Sequence, residues 1–204
     1  MIMFSRLFSE LHDIILNQPV DDEPLAIQIA ACTALTSAIA KEEWPHLDTS
    51  APALPQPFLD VMTAQDADGI CEHIVNMPFS WAPPTTSDNP LYLEHNHSKM
   101  HVELLGPGGL VPTDSLRLGL YGILPHSEYG IRTHPAEEIF IMLAGEADWL
   151  RGDAQYQTHK RGMHSYHPSE MPHATRTHDK AFMSVYIWHG DISTERYHYQ
   201  GLPQ

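Results

Sequence analysis

The chain has few cysteines, few cations and no long apolar run. Its two cysteines, Cys32 and Cys71, match no metal-binding spacing, and we expect both to be buried thiols. Lysine and arginine number 11 against 26 aspartates and glutamates, which gives a formal net charge of −15. This charge argues against a nucleic-acid partner, because phosphates need a basic surface. No apolar stretch approaches the ~20 residues that span a bilayer, so we expect no membrane segment.

The N-terminus has apolar residues at helical spacing, but Glu10 and Asp13 interrupt them. A signal peptide has an uninterrupted apolar core, so we predict a cytoplasmic protein. The length of 204 residues is enough for one domain with a substantial core.

The pattern of the chain changes near residue 91. Before that point we predict two helices within residues 1–43, the second from 24 to 43, and another over 64–75, with proline-rich irregular stretches over 45–57 and 77–90. After it come short alternating segments punctuated by Gly, Pro and Asp. They cover residues 101–105, 116–124, 137–142, 147–150, 154–159, 162–166, 174–177 and 182–188. Many short strands at this interval predict a β-sandwich or barrel. We therefore predict a mainly β fold, in which residues 1–90 are an N-terminal α-helical extension packed on a barrel of residues 91–204.

A histidine and a carboxylate four residues apart, followed by a distant histidine, can supply three ligands to one metal ion. His134, Glu138 and His173 have this spacing. Imidazole and carboxylate together suit one divalent transition metal, Fe²⁺, Mn²⁺ or Zn²⁺. Three protein ligands leave coordination positions open, which favours catalysis over structural support. Glu137 could replace Glu138 if the strand were shifted, but alternation puts it on the opposite face.

The spacing resembles the two motifs of the cupin superfamily. The matching positions are His134, Glu138, Gly145, Gly162, Pro168 and His173. This resemblance implies a jelly-roll barrel of two packed sheets, with a metal and a small ligand in its interior.

Within the cupins, the segment from Tyr129 to Glu138 is similar to the bacterial dimethylsulfoniopropionate lyases and lyase-like cupins, and the similarity extends over about Leu91 to Ser193. It implies a small zwitterionic or carboxylate substrate whose carboxylate is held by the metal. A tyrosine would remove the α-hydrogen, and dimethyl sulfide would leave to give acrylate. The resemblance points to Tyr129 as this base, and Tyr121 is the reserve.

Two positions depart from the lyase pattern. Arg132 stands where these lyases carry a ligand histidine, and Phe140 stands where they carry a tyrosine. Arginine stays protonated and cannot bind a cation, so three protein ligands remain. We expect Arg132 to point inward and bind an anionic group of the substrate, although it could instead pair with Glu128 or Glu137. Both departures predict a weak lyase or an altered substrate.

Three aromatic residues, Trp188, Phe140 and Tyr92, are candidates for the pocket wall. Aromatic faces hold sulfonium cations by cation–π attraction, although packing in the barrel core is the alternative for each residue. Histidines also occur at positions 95, 97 and 101. We predict that His95, His97 and His101 are surface residues, with a second metal site or a place in the pocket as the alternative.

Two other functions stay open from the sequence. One is a metal-dependent isomerase or dioxygenase acting on a small carboxylate. The other is a non-catalytic cupin that binds a ligand with the support of a metal. The sequence also leaves open whether the chain forms a homodimer.

Overall fold

A computed structural model describes residues 2–19, 24–41, 44, 47 and 53–203. Within these residues, helices come first and strands follow. The helices are α1 (Ile2–Leu16), α2 (Leu25–Ile39), α3 (Gln56–Met62), α4 (Ile70–Asn76) and α5 (Pro90–Glu94). The strands are β1 (Lys99–Gly106), β2 (Val111–Pro112), β3 (Leu116–Ile123), β4 (Glu128–Thr133), β5 (Glu137–Arg151), β6 (Gln157–Lys160), β7 (His164–His167), β8 (His173–Arg176), β9 (Phe182–His189) and β10 (His198–Gly201).

The strands form two sheets that share the long strand β5. The first sheet has the order β2-β1-β3-β9-β5-β7, and the second has the order β10-β4-β8-β5-β6. Neighbouring strands are antiparallel, apart from the short parallel pair of β1 and β2. This arrangement confirms the predicted mainly β jelly-roll with helices at its N-terminus.

Strand β5 passes from the first sheet to the second at Gly145. The residue has φ +71°, which glycine adopts without the steric cost of a side chain. A Cβ atom at this position would lie 2.1 Å from the carbonyl oxygen of Ala181. The motif glycine therefore marks a bend within one strand. Our prediction of two separate strands over 137–142 and 147–150 was wrong, because β5 continues through the bend.

Side chains of the first sheet alternate between two apolar cores. On β5, Ile139 and Ile141 belong to the core shared with the helices, whereas Phe140 and Met142 belong to the core inside the barrel. The helices complete the outer core with buried side chains such as Leu11 of α1. Because the helical layer covers one face of the sheet, both faces carry buried side chains, and close packing restrains their positions.

Several element bounds differ from the sequence prediction. Helix α2 ends at Ile39, before the predicted end at Glu43, and Glu43 itself lies outside the described residues. Helix α3 begins within the stretch predicted to be irregular, because Pro55 and Pro57 are compatible with the start of a helix. Strand β4 was not predicted, since its inward residues Tyr129 and Arg132 interrupt the apolar alternation. Strand β10 was also not predicted. The helix expected over 64–75 begins only at residue 70. Helix α5 crosses the expected boundary between residues 90 and 91.

Among the described residues, no helix is both long enough and apolar enough to cross a membrane. The two cysteines are free, Cys71 being buried and Cys32 partly buried.

A buried lysine contacts the core inside the barrel. Lys99 is fully buried, and its Nζ atom has no hydrogen-bond partner among the described residues. The Nζ atom lies 3.6 Å from the ring centroid of Tyr129 and 4.7 Å from that of Tyr92. Burial, helped by the charge of Arg132, lowers the pKa of Lys99 to about 6. The amine is therefore mostly neutral at pH 7 in the folded protein.

We predict that Lys99→Met stabilises the fold at pH 7 by about 1–3 kcal/mol. The substitution replaces an unpaired buried amine with an apolar side chain of similar length. In the unfolded chain the lysine keeps its proton up to about pH 10.4. Between about pH 6 and pH 10 the unfolded state therefore binds more protons, and this contribution makes the wild-type protein more stable as pH rises.

Urea denaturation of both proteins across pH 6–9 measures the two effects. The stability of Lys99→Met should rise less with pH than that of the wild type. A variant that is less stable at pH 7 and has the same pH dependence would show that the lysine is charged and paired.

Candidate metal centre

The three predicted ligands lie together inside the barrel. His134 directly follows β4, Glu138 is the second residue of β5, and His173 begins β8. All three are buried, with 1–3% of each residue exposed. One ligand atom from each residue lies within 4.8 Å of the others. We call these residues the candidate metal centre.

Backbone carbonyls fix the tautomers of both histidines. Nδ1 of His134 lies 3.1 Å from the carbonyl oxygen of Ala136, and Nδ1 of His173 lies 2.8 Å from that of Met171. A carbonyl oxygen only accepts, so each Nδ1 atom carries the proton. The lone pair of each Nε2 atom is then free, as in many metal-binding histidines.

The free lone pairs face a carboxylate. Glu138 Oε2 lies 3.5 Å from His134 Nε2 and 3.0 Å from His173 Nε2. Neither Nε2 atom makes a hydrogen bond among the described residues, although both are buried. Three acceptors that face one another in a dry interior need a cation between them. The centre therefore fits a metal ion.

The protonation states also suit a metal. Burial raises the pKa of the Glu138 carboxyl, and the hydrogen bond that His167 donates to it lowers that pKa. Burial, with the charge of Arg132, holds the pKa of His173 well below its ordinary value. An ionised carboxylate and a neutral imidazole are the forms that bind a metal. The donor set of two imidazoles and one carboxylate suits iron, manganese or zinc.

Two side chains on neighbouring strands hold Glu138. Trp188 of β9 donates its Nε1–H to Oε1, and Nδ1 of His167 on β7 lies 3.2 Å from Oε2. Burial lowers the pKa of His167 to about 4, so its ring is neutral. Sequence reasoning placed Trp188 in the substrate pocket and missed its bond to Glu138. It missed His167 altogether, although alternation on β7 puts His167 and Ser165 on one face.

Arg132 points into the barrel. It is 1% exposed, and its Cζ atom lies 3.9 Å from the ring centroid of Tyr129. Its Nη1 atom lies 3.5 Å from the carbonyl oxygens of Tyr129 and His173, while its Nη2 atom has no hydrogen-bond partner within the described ranges. No ion pair joins it to a carboxylate of the described chain, and Glu128 instead accepts a hydrogen bond from Tyr156. The guanidinium is therefore free to receive an anionic group.

The predicted tyrosines also lie inside the barrel. Tyr129 and Tyr197 share a short hydrogen bond between their hydroxyls. The hydroxyl of Tyr121 has no hydrogen-bond partner in the part of the chain that the structure describes. Burial raises the pKa of Tyr121 and of Tyr129 well above the ordinary phenol value, and the opposing charge of Arg132 is too weak to offset it. Both phenols are therefore neutral at rest. Sequence reasoning missed Tyr197.

A cavity of about 410 Å³ opens onto the centre. Glu138 and Arg132 line one part of it, and aromatic rings form much of its wall. The aromatic lining residues are Tyr121, Tyr129, Phe140, Tyr186 and Trp188. Tyr92 lies outside this lining, since its ring packs near Tyr129 and its hydroxyl donates to the carbonyl of Pro84. The cavity is of the size and character of a small-molecule site.

The histidines at positions 95, 97 and 101 have separate surroundings. His95 bonds the hydroxyl of Tyr199, and His97 is exposed and contacts the carbonyl of Glu94. His101 lines the cavity and bonds the hydroxyl of Tyr186. The prediction of a surface position is therefore wrong for His101, which takes the alternative place in the pocket, and the three histidines do not meet at a second metal site.

A family model for dimethylsulfoniopropionate (DMSP) lyase matches residues 57–184. The DMSP lyase DddQ of Ruegeria pomeroyi is 42% identical over 91 residues, which are 45% of this chain and 45% of that protein. The chain thus aligns with about half the length of this relative.

Two solved structures have the same fold over nearly the whole chain. The crystal structure of DMSP lyase DddQ from Ruegeria pomeroyi has a TM-score of 0.68 and 24% identity, covering 97% of this chain and 96% of its own. The crystal structures of the DMSP lyases RdDddP and RnDddQII give a TM-score of 0.65 with 18% identity and cover 100% of this chain and 98% of theirs. The likeness confirms the jelly-roll fold, and the family model covers more than half of the chain. The chain belongs to the DMSP lyase family.

Proposed function

We propose that the chain is a metal-dependent carbon–sulfur lyase that cleaves DMSP to dimethyl sulfide and acrylate by β-elimination. The observation that carries this proposal is the candidate metal centre, which opens into an aromatic-walled cavity in a member of the DMSP lyase family. A cytoplasmic location belongs to the same proposal.

In this proposal His134, Glu138 and His173 hold one divalent iron, manganese or zinc ion. When bound, the metal would polarise the substrate carboxylate and stabilise the negative charge that develops as the α-proton leaves. Three protein ligands leave room for the substrate or water.

Both ends of the substrate have a partner in the cavity. The unpaired Nη2 atom of Arg132 can donate to the substrate carboxylate. The rings of Phe140, Tyr186 and Trp188 can face the sulfonium, each adding ~0.5–2 kcal/mol of cation–π attraction. Opposite charges at the two ends of the substrate would thus set its direction in the cavity.

Tyr129 is the proposed general base. Its oxygen takes the α-proton, the freed electron pair forms the carbon–carbon double bond, and the β-carbon–sulfur bond breaks with its electrons leaving on dimethyl sulfide. The phenol is neutral at rest, so its proton must first pass to water in the open cavity that Tyr129 lines. The hydroxyl of Tyr197 can then donate a hydrogen bond to the phenolate. Arg132 above the ring stabilises the phenolate. Tyr121, whose hydroxyl is unpaired, is the reserve base.

Phe140 weakens this machinery. Its ring lies 5.6 Å from that of Tyr121 and lines the cavity, but it has no group that accepts a proton. Together with Arg132 it removes two groups that the resembling lyases carry near the metal. We therefore propose that turnover of DMSP is slow, or that a related carboxylate is the preferred substrate.

A second function is favoured by the donor set alone. Two histidines and one carboxylate with open positions are typical of non-haem Fe(II) oxygenases. Oxygen consumption by the iron-loaded protein with a small carboxylate, and no release of acrylate, would support this function. Binding of the carboxylate without any turnover would instead support a non-catalytic role.

The metal assignment predicts which variants lose metal. His134→Ala and His173→Ala should each lose most of the bound metal, and Glu138→Ala should weaken binding. Glu137→Ala is the matched control, because Glu137 lies outside the centre and near His189. Elemental analysis of the dialysed proteins measures occupancy. Full occupancy in both histidine variants would refute the site. Loss of metal in the Glu137 variant but not in the Glu138 variant would show that the assigned strand register is off by one residue.

Moving one hydroxyl tests the elimination. Tyr129→Phe should lower kcat for acrylate release by ~10²–10⁴-fold with unchanged metal content, because a general base is lost. Phe140→Tyr should raise kcat, since the added hydroxyl lies on the same strand face as Glu138. Tyr121→Phe is the control. Near-normal turnover in Tyr129→Phe together with a large loss in Tyr121→Phe would assign the base to Tyr121.

A further inference from the structure

We infer that His167 is a positioning residue for the metal centre, which donates a hydrogen bond to Glu138 and orients it without binding the metal itself. This inference rests on the proposed metal site, and it adds a residue that the sequence motifs do not contain.

The first support is the direction of the hydrogen bond. Three imidazoles surround Glu138 Oε2, those of His134, His167 and His173. Only the ring of His167 makes a hydrogen bond to this oxygen, at 3.2 Å. The Nε2 atoms of the other two make none, and they keep their lone pairs. The three rings therefore divide into one donor and two candidate ligands.

The second support is the pair of bonds on the carboxylate. Trp188 donates to Oε1 and His167 donates to Oε2, so each oxygen has one donor from a neighbouring strand. The backbone of Glu138 is paired with His167 on one side and with Trp188 on the other. Two donors fixed by the sheet prevent the carboxylate from rotating away. Loss of such a partner typically weakens metal binding ~10–100-fold.

The third support is the other side of the His167 ring. Nε2 of His167 lies 2.9 Å from Oγ of Ser165, a buried hydroxyl that can donate to it. An ionised carboxylate only accepts, so the single N–H of a neutral His167 ring lies on Nδ1, and Nε2 then accepts from Ser165. The ring also stacks on His173 with centroids 4.2 Å apart and an interplanar angle of 10°. His167 thus contacts two candidate ligands at once.

A role as a fourth ligand fits less well. The group of ligand atoms that lie within 4.8 Å of one another contains His134, Glu138 and His173, and it does not include His167. Because Arg132 stands where the resembling lyases carry a ligand histidine, the centre has three candidate protein ligands. Glu138 is the one carboxylate among them. The orientation of that carboxylate then matters more than in a site with four protein ligands.

Two variants of equal shape separate the donor from the ring. His167→Asn keeps an N–H close to the position of Nδ1, whereas His167→Leu has the same branching and no donor. The measurement is the Kd for Co²⁺ alone, by competition with a chromogenic chelator, together with the thermal stability of each metal-free protein. The His167→Leu variant should bind Co²⁺ ~10–100-fold more weakly than the wild type, and the His167→Asn variant should recover most of this loss.

The outcomes distinguish this inference from the proposed function. Equal loss of Co²⁺ affinity in both variants would overturn the inference. It would mean that His167 acts as a metal ligand or through its ring, since the amide of asparagine replaces neither. Unchanged affinity in His167→Leu would also overturn it. If the wild type bound no Co²⁺, the proposed metal site would fail as well. A loss confined to His167→Leu, with similar stability in both variants, supports the donor role.

Discussion

The buried negative charge of Glu138 is the constraint on which the site depends. An ionised carboxylate in a dry interior is costly unless it is paired and hydrogen-bonded. Here Trp188 and His167 bond one oxygen each, and the lone pairs of His134 and His173 face the same oxygen. A divalent cation between these acceptors would neutralise the charge and satisfy the lone pairs. The protein part of the candidate metal centre is therefore arranged as a metal ion would need it.

The fold supplies the strand positions that this arrangement needs. Glu138 lies on β5 between His167 on β7 and Trp188 on β9, so the backbone ladder fixes all three side chains on one face. The bend at Gly145 lets the same strand enter the second sheet, where it pairs with β8, which begins with His173. The helices cover the outer face of the first sheet and keep it dry. The N-terminal helices thus support the site, although none of the candidate metal ligands lies on them.

The sequence predicted what depends on local spacing. The alternation of apolar residues predicted the strands and the face of Glu138, and the two motifs predicted that His134 and His173 would meet it. It did not predict the contact of His167 with Glu138, of Tyr197 with Tyr129 or of Lys99 with Tyr129, because long-range strand pairing and packing create these contacts. Strand β4 was missed for a related reason, since its inward side chains are Tyr129 and Arg132, which do not produce an apolar pattern. The inward position of Arg132 was expected from its motif register, and its stacking on Tyr129 was not.

X-ray absorption at the zinc edge of the zinc-loaded protein tests the central claim most directly, because it counts the imidazole and oxygen ligands of the metal. The account predicts two imidazoles at about 2.0–2.1 Å, with oxygen from Glu138 and from water in the remaining positions. Three imidazoles would make His167 a ligand and contradict its role as a donor. A spectrum with no imidazole would place the metal elsewhere and contradict the assignment of the centre.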